Sequence, residues 1–147
     1  MVAPPGDGMT VDQIAREDVV TAPRNEDATA VAERMAEADV GAVVITRDGE
    51  PAGIVTDRQI ATSVGTNGGI ERLDAVDLMT EDPITVGTDA GLFELVQTFS
   101  GAGVRRLPVV DGDGDLVGIV SLDDLLVLLA NEFADVGEVL EDQSARF

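Results

Sequence analysis

The sequence predicts an α/β (α+β) protein made of two tandem copies of one β-α-β-β-α unit. Aliphatic runs of strand length alternate with segments of helical periodicity. The same strings of residues also return in the same order later in the chain, which is typical of an internal repeat. Residues 11–14 recur as 76–79, residues 40–46 as 104–110, and residues 53–60 as 118–125, at offsets of 64 or 65.

Each copy opens with a short amphipathic turn and a brief strand, predicted at residues 19–21 and 84–86. A helix follows, because apolar residues are spaced so that they fall on one helical face. This face is formed by Ala28, Val31, Ala32, Met35 and Ala38 in the first copy, and by Leu92, Leu95, Val96 and Phe99 in the second.

Two strands joined by a tight turn come next, at 42–45 with 52–55 and at 107–110 with 116–120. Their nearly continuous aliphatic character predicts burial on both faces. A second helix closes each copy, and the last one is predicted to begin at Ser121. Its apolar face is too rich for a solvated surface and predicts association with another molecule. That face contains Leu125, Leu126, Leu128, Leu129, Phe133, Val136 and Leu140.

The repeat predicts a simple domain organisation. It comprises a flexible tail at 1–8, a first unit at 9–66, a linker at 67–75, a second unit at 76–134, and a helical extension or tail at 135–147.

The composition excludes several classes of function. The chain contains no cysteine and no histidine, so disulfides, zinc fingers and imidazole catalysis are excluded. Nine basic residues, all arginine, against 29 acidic ones give a net charge of −20. This charge disfavours nucleic acid and anionic membranes as partners.

No apolar run could span a bilayer and the start does not resemble a signal peptide, so we expect a cytoplasmic protein. The acid excess without lysine resembles proteins of salt-accumulating halophiles. A highly soluble acidic protein of an ordinary cytoplasm is the alternative.

Asp111, Asp113 and Asp115 resemble the start of an EF-hand calcium loop. Such a loop needs glycine at its sixth position and glutamate at its twelfth, and these positions hold Leu116 and Leu122. We therefore predict a hairpin turn in which Asp and Gly supply the unusual backbone angles, with no bound metal.

The segment after this turn, residues 118–124, reads as a strand that ends at a capped helix. Ser121 stands three residues before Asp124, and Thr56 stands three before Gln59 in the first copy. Both pairs fit helix capping, which requires no ligand at all.

Taken together, the duplicated strings resemble the CBS-domain family, whose domains occur in tandem pairs called Bateman modules. The resemblance covers about residues 9 to 133 and rests on VDLMTEDPITV, VRRLPVVD and GIVSLDDLL, with VGAVVI and GIVTDRQI in the first copy. It implies two domains packed sheet to sheet about a pseudo-twofold axis. It also implies two clefts, which in this family often hold adenine nucleotides.

The family's binding pattern, Gly-hydrophobic-x-Ser/Thr-x-x-Asp/Asn, falls on Gly118, Ile119, Ser121 and Asp124. A carboxylate at Asp124 can accept hydrogen bonds from both ribose hydroxyls. Ser121 can donate to a phosphate, and the helix start favours an anion. Asp123 either contacts the ribose or is a solvated acid of the first helical turn.

The resemblance also assigns residues from elsewhere in the chain to this cleft. Arg105 and Arg106 are expected to meet the phosphate, although they could instead be surface ion-pair partners. Val19, Val40 and Gly41 are the positions that would enclose the adenine.

The first copy departs from the pattern, because Gln59 stands where the ribose-binding Asp is expected. An amide loses the charge-assisted contact, at a cost on the order of 1–3 kcal/mol. A second, weak or empty cleft is therefore predicted at Thr56, Arg58, Gln59 and Ile84.

We therefore expect a non-enzymatic regulatory module that binds AMP, ADP or ATP and requires no cofactor. The family often forms disc-like homodimers, so a homodimer with an unknown downstream protein partner is expected. Two alternatives stay open: a ligand-free structural or protein-interaction module, and a module that binds S-adenosylmethionine or NAD.

Overall fold

The computed structural model describes residues 9–146, with side-chain detail for residues 9–66 and 68–135. The tail expected at residues 1–8 lies outside the described residues, as do the side chains of Val136 and Leu140. None of the described helices is both long and apolar enough to cross a membrane.

The described residues form seven strands and six helices, in the predicted order within each copy. In the first half these are α1 (Val11–Ile14), β1 (Thr21–Pro23), α2 (Ala28–Ala38), β2 (Ala42–Arg47), β3 (Glu50–Thr56) and α3 (Asp57–Asn67). In the second they are α4 (Ala75–Leu78), β4 (Thr80–Glu81), β5 (Val86–Gly87), α5 (Leu92–Ala102), β6 (Arg106–Val110), β7 (Leu116–Ser121) and α6 (Leu122–Arg146).

Each half contributes one sheet, and the mixed α/β fold class is confirmed. The first sheet has the order β1-β2-β3-β4 and the second has the order β5-β6-β7. In both, the opening strand runs parallel to its neighbour and the two hairpin strands run antiparallel. The short strand β4 was not predicted; it extends the first sheet from the second copy of the repeat.

The opening strands begin two residues later than the sequence predicted, at Thr21 and Val86 rather than at 19 and 84. Thr21 is the first residue of β1 that pairs with β2, opposite Val44, and Val86 pairs with Val109. The apolar periodicity of the sequence does not determine where this pairing starts, so the prediction was wrong at this boundary.

Each sheet packs one face against its helices to form an aliphatic core. Val31 and Met35 of α2 lie in the first core, and their repeat equivalents Leu95 and Phe99 of α5 lie in the second. The helical spacing identified from the sequence therefore marks the core face at these four positions, whereas Ala38 and Val96, which were assigned to the same faces, are exposed. The second core has the larger side chains.

The opening helices cross over between the halves. Val11 of α1 is fully buried in the second core, and its amide donates to the Ala90 carbonyl at 2.8 Å. Ala75 of α4 is fully buried in the first core, and its amide donates to the Glu26 carbonyl at 2.8 Å. This reciprocal exchange fits a pseudo-twofold relation between the halves.

The crossover also corrects the alignment of the repeats. The capping boxes of α1 and α4 pair Thr10 with Asp74, an offset of 64, whereas the sequence comparison matched Val11 to Val76. With the offset of 64, the two repeats differ in length only at their hairpin turns. Arg16 becomes the equivalent of Thr80.

The faces of the sheets that point away from the cores are also covered. Val44 and Pro108 are fully buried yet belong to neither core, and side chains alternate between the faces of a strand. The Leu116 amide donates to the Gly49 carbonyl at 2.9 Å, which joins the two hairpins. The sheets therefore pack against each other.

Candidate functional site

A cleft of about 260 Å³ lies between the halves, at the start of α6. All nine residues predicted for the main site line it, namely Val19, Val40, Gly41, Arg105, Arg106, Ile119, Ser121, Asp123 and Asp124. The other lining residues are Arg16, Asp18, Val20, Asp39 and Ala42. Segments more than a hundred residues apart in sequence thus meet in one place.

Ser121 ends β7, and its side chain caps α6. The Ser121 hydroxyl accepts a hydrogen bond from the Asp124 amide at 3.0 Å, so the capping function expected for Ser121 is present. The Asp124 carboxylate does not fold back over the helix start to complete a capping box, as Gln59 does in the first copy. It is instead held within the cleft.

The partner of Asp124 is Arg16, a residue that the sequence analysis did not assign to the site. Arg16 Nε donates to Asp124 Oδ2 at 3.0 Å, and Arg16 Nη2 donates to Oδ1 at 3.2 Å. Both carboxylate oxygens are therefore engaged by one guanidinium in the fork geometry that favours strong ion pairs. The Arg16 side chain stays 66% exposed and that of Asp124 31% exposed.

This pairing shifts the titration of both groups. The hydrogen bond from Arg16 lowers the pKa of Asp124 below its ordinary value, with a further contribution from the Ser121 hydroxyl, while partial burial opposes the shift. The same hydrogen bond, with the charge of Asp124, raises the pKa of Arg16. Asp124 is consequently ionised at neutral pH.

The two adjacent arginines at the start of β6 have different surroundings. Arg105 lies 3.3 Å from Asp123, with both side chains about three-quarters exposed, so this ion pair contributes little. The Arg106 guanidinium lies over Gly41, where an added Cβ would be 3.2 Å from Arg106 Cζ. The absence of a side chain at Gly41 is what allows this approach.

Three half-buried aliphatic residues supply an apolar wall beside these charges. Val19 lies in the loop before β1, Val40 lies in the loop between α2 and β2, and Ile119 lies in β7. Arg16 pairs with Ile119 through two backbone hydrogen bonds, of 2.8 and 2.9 Å. The cleft thus combines an apolar wall with four carboxylates and three guanidinium groups, and Asp124 is the carboxylate that is part-buried and held by two hydrogen bonds from one arginine.

Of the four residues predicted for the second cleft, Thr56, Arg58 and Gln59 lie at the start of α3, and Ile84 lies in the segment between β4 and β5. Thr56 caps this helix, and the Gln59 side-chain oxygen accepts from the Thr56 amide at 2.7 Å. Gln59 Nε2 donates to the Thr80 hydroxyl at 2.6 Å. Arg58 is exposed, and Ile84 is 50% exposed.

The pair Gln59–Thr80 occupies the same place in the first half as Asp124–Arg16 in the second. In each pair, the third residue of the last helix bonds to the residue that follows the opening helix by two positions. One pair is ionic with two hydrogen bonds, and the other is neutral with one.

The aspartate turn forms the β6–β7 hairpin, as predicted. Asp111 Oδ1 accepts from the amides of Asp113 and Asp115 at 2.9 and 3.0 Å, and Gly114 adopts a positive φ of 87°. The carboxylate oxygens of the three aspartates lie within 4.8 Å of one another. The Asp111 carboxylate thus closes the turn through two backbone amides.

A larger cavity of about 430 Å³ lies at the hairpin end of the first sheet and contains none of the predicted site residues. It is lined by Arg24, Arg47, Asp48, Glu50, Pro51, Ala52, Met79, Glu81 and Asp82. Four carboxylates against two guanidinium groups disfavour a phosphate there. The smaller cleft has three guanidinium groups against four carboxylates and is the better candidate of the two for an anionic ligand.

Arg16 could have been identified from the sequence only through the correct repeat alignment. At an offset of 64 it stands opposite Thr80, within the string MTEDP, and an arginine in place of a small polar residue is then a visible difference. At the offset of 65 used for this segment, Arg16 is matched to Glu81, and the difference between Arg16 and Thr80 is not visible.

Comparisons with known proteins agree with this architecture. The CBS domain family model matches residues 11–65 and 75–131. An uncharacterized protein of Methanopyrus kandleri is 38% identical over 120 residues, which are 80% of this chain, and the match spans 61% of that protein's length.

Two solved structures also match the chain, both below 25% identity, and show the fold. The CBS domain pair of protein MJ0100, in complex with 5′-methylthioadenosine and S-adenosyl-L-methionine, matches with a TM-score of 0.76 at 24% identity. The match covers 84% of this chain and 98% of that one. CBSX2 in complex with AMP matches with a TM-score of 0.71 at 23% identity, over 84% and 98%. The chain belongs to the CBS domain family, and its two matched segments form a tandem pair.

Proposed function

We propose that this chain is a non-enzymatic regulatory module that binds an adenine nucleotide in the cleft at the start of α6. The observation that carries the proposal is the Asp124 carboxylate, which is ionised and held inside a cleft that three arginines line. A carboxylate matches the two neighbouring hydroxyls of a ribose, and guanidinium groups match a phosphate.

The lining residues indicate which part of the ligand each of them would contact. Asp124 accepts from the ribose hydroxyls, and the apolar wall of Val19, Val40 and Ile119 contacts the adenine. The phosphate meets Arg106 and Ser121 near the helix start. Because Asp123 and Asp124 already lie in the first turn of α6, the helix dipole alone is a weak anion site here, and the arginines supply the positive charge.

The comparisons support a ligand of this class. The CBS pair of MJ0100 was solved with two adenosine derivatives, and CBSX2 was solved with AMP. We prefer a nucleotide to S-adenosylmethionine because the three guanidinium groups of the cleft match a phosphate, which S-adenosylmethionine lacks. NAD and a ligand-free module are the further alternatives that the experiment addresses.

The test is thermal unfolding in concentrated KCl with AMP, ADP, ATP, NAD or S-adenosylmethionine. A ligand at about a hundred times its dissociation constant adds about 2.7 kcal/mol to stability. We expect AMP, ADP or ATP to give such a shift in wild type, and Asp124→Ala to remove most of it. Wild type is also expected to bind AMP more tightly than 2′-deoxy-AMP, a preference that Asp124→Ala loses.

Gln59→Ala provides the matched control, because it changes the same helix position in the other half. It lowers stability through the lost capping contact and should leave the AMP-induced shift intact. If no adenosine compound shifts the unfolding of wild type, the module is ligand-free. If Asp124→Ala retains both the shift and the ribose preference, Asp124 serves only the local structure.

We also propose that the protein self-associates through α6 and passes the ligand signal to a downstream protein. Leu126 and Val127 are 53% and 61% exposed, and Phe133 is 75% exposed, although Leu125 on the same helix is buried. Light scattering should give twice the mass of one chain, and Phe133→Glu should return it to one. A monomeric wild type contradicts this interface.

A further inference from the structure

In the Arg16–Asp124 pair, the Arg16 guanidinium competes with a ligand for the Asp124 carboxylate of the proposed site. Both Asp124 oxygens accept from Arg16, at 3.0 and 3.2 Å, and a ribose diol needs the same two oxygens. A ligand that uses Asp124 must therefore displace the Arg16 guanidinium. The neutral Gln59–Thr80 pair in the other half presents no such ionic competitor.

The backbone and side chain of Arg16 differ in how firmly they are held. The backbone amide and carbonyl bond to Ile119 at 2.8 and 2.9 Å, so this part of Arg16 is fixed to the edge of β7. The side chain is 66% exposed, and Asp124 is its partner in the described structure. It can leave Asp124 without any rearrangement of the sheet.

A displaced guanidinium stays close to the cleft, because its backbone anchor does not move. Arg105 and Arg106 line the same cleft, and Arg106 lies near one carboxylate, that of Asp57, over Gly41. Release of Arg16 thus adds a third guanidinium group beside the place where a phosphate would lie. A ligand with a phosphate compensates the broken ion pair, whereas a phosphate-free ligand does not.

We propose that Arg16 is a specificity residue that makes the cleft select phosphorylated adenosine ligands over phosphate-free ones. This rests on the proposed function, since it assumes that the cleft binds an adenosine moiety through Asp124. In the ligand-free state Arg16 occupies the ribose-binding carboxylate. In the bound state it turns to the phosphate and contributes to its binding.

Isothermal titration of AMP and adenosine tests this, because the two compounds differ only by the phosphate. The variant is Arg16→Thr, which installs the residue that the other half carries at position 80. Its backbone bonds to Ile119 remain, so the fold is retained. Arg34→Thr is the matched control, because Arg34 is also ion-paired, to Glu26 at 2.9 Å, and does not line the cleft.

We expect adenosine to bind Arg16→Thr up to about fivefold more tightly than wild type, which is about 1 kcal/mol and the upper range for an exposed ion pair. AMP should bind about fivefold more weakly, because a phosphate contact is lost. The AMP preference over adenosine then falls by about 25-fold, and Arg34→Thr leaves it unchanged. Arg16→Gln, which keeps a donor without the charge, should lose the preference as well.

The outcomes separate this inference from the function on which it rests. If wild type binds AMP and the AMP preference is the same in Arg16→Thr, the inference is wrong while the proposed function stands. If adenosine binds Arg16→Thr more weakly than wild type, Arg16 is a direct ligand contact rather than a competitor, and the inference is again wrong. If wild type binds neither compound, the proposed function itself has failed.

Discussion

The two halves of this chain share a scaffold and differ at one bonded pair. In the second half the pair is Asp124 with Arg16, ionic and bidentate; in the first it is Gln59 with Thr80, neutral and held by one bond. The capping residues Ser121 and Thr56 act in the same way in both halves. Duplication has therefore preserved the helix starts, while the side chains aimed between the halves have diverged.

In the second half, helix capping and the contact with the opening segment are therefore made by different side chains, those of Ser121 and Asp124. Gln59 returns to the Thr56 amide and so serves its own helix. In the second half Ser121 caps the helix, and the Asp124 carboxylate instead pairs with another segment of the chain. When a residue at a capping position bonds to a distant segment and not to its own helix, a functional role is more strongly indicated than by the capping pattern alone.

The largest effect expected from the comparison concerns the two cores. Leu95 and Val31 are equivalent and fully buried, and Leu95 is the larger side chain. Leu95→Ala should cost about 2–5 kcal/mol, and Val31→Ala about 1–3 kcal/mol, because valine loses fewer buried carbon atoms than leucine on replacement by alanine. Urea unfolding measures both. A greater cost for Val31→Ala would contradict the expectation that the larger side chain contributes more to stability.

An intermediate effect is expected from converting the first half into a copy of the second. Gln59→Asp supplies the missing carboxylate, and we expect titration calorimetry with AMP to change from one site per chain to two. At about a hundred times its dissociation constant, the added site contributes up to about 2.7 kcal/mol. Gln59→Ala is the control and should keep one site. A single site in Gln59→Asp would mean that this half lacks more than a carboxylate.

The smallest effect concerns the pH dependence of the ion pair. Arg16 lowers the pKa of Asp124 in the folded protein, so the pair stabilises the fold above the unfolded pKa of about 3.9. This contribution is lost as the pH falls through the lower folded value. Since both side chains are partly exposed, we expect it to be below about 1 kcal/mol.

The free energy of unfolding of wild type should thus exceed that of Asp124→Asn near pH 6, and the two should converge near pH 2. Gln59→Ala should differ from wild type by the same amount at both pH values, because no titratable group is removed. A constant difference for Asp124→Asn would contradict the assigned pKa direction.

Most of the fold could be predicted from the sequence, because aliphatic spacing and the repeat leave few arrangements open. Val31, Met35, Leu95 and Phe99 were assigned to helical core faces, and all four are buried. The starts of β1 and β5 were not predictable, because they depend on where parallel pairing with a distant strand begins.

The candidate site was predictable where a motif is contiguous and not where a contact joins distant segments. Ser121, Asp124 and Ile119 belong to one string, and the resemblance added Val40, Arg105 and Arg106. The Arg16–Asp124 pair spans 108 positions. It depends on the opening helix crossing to the other half, and local sequence patterns carry no information about such a crossover.

That crossover also decides how the chain responds to cleavage or truncation. Deleting the opening segment through Arg16 would expose the core of the second half, because Val11 is buried in that core and not in the core of the first half. Cleavage between the two repeats would likewise leave each fragment without the opening helix that completes its core. We therefore expect that neither repeat folds on its own, and that a stable fold requires both repeats in one chain.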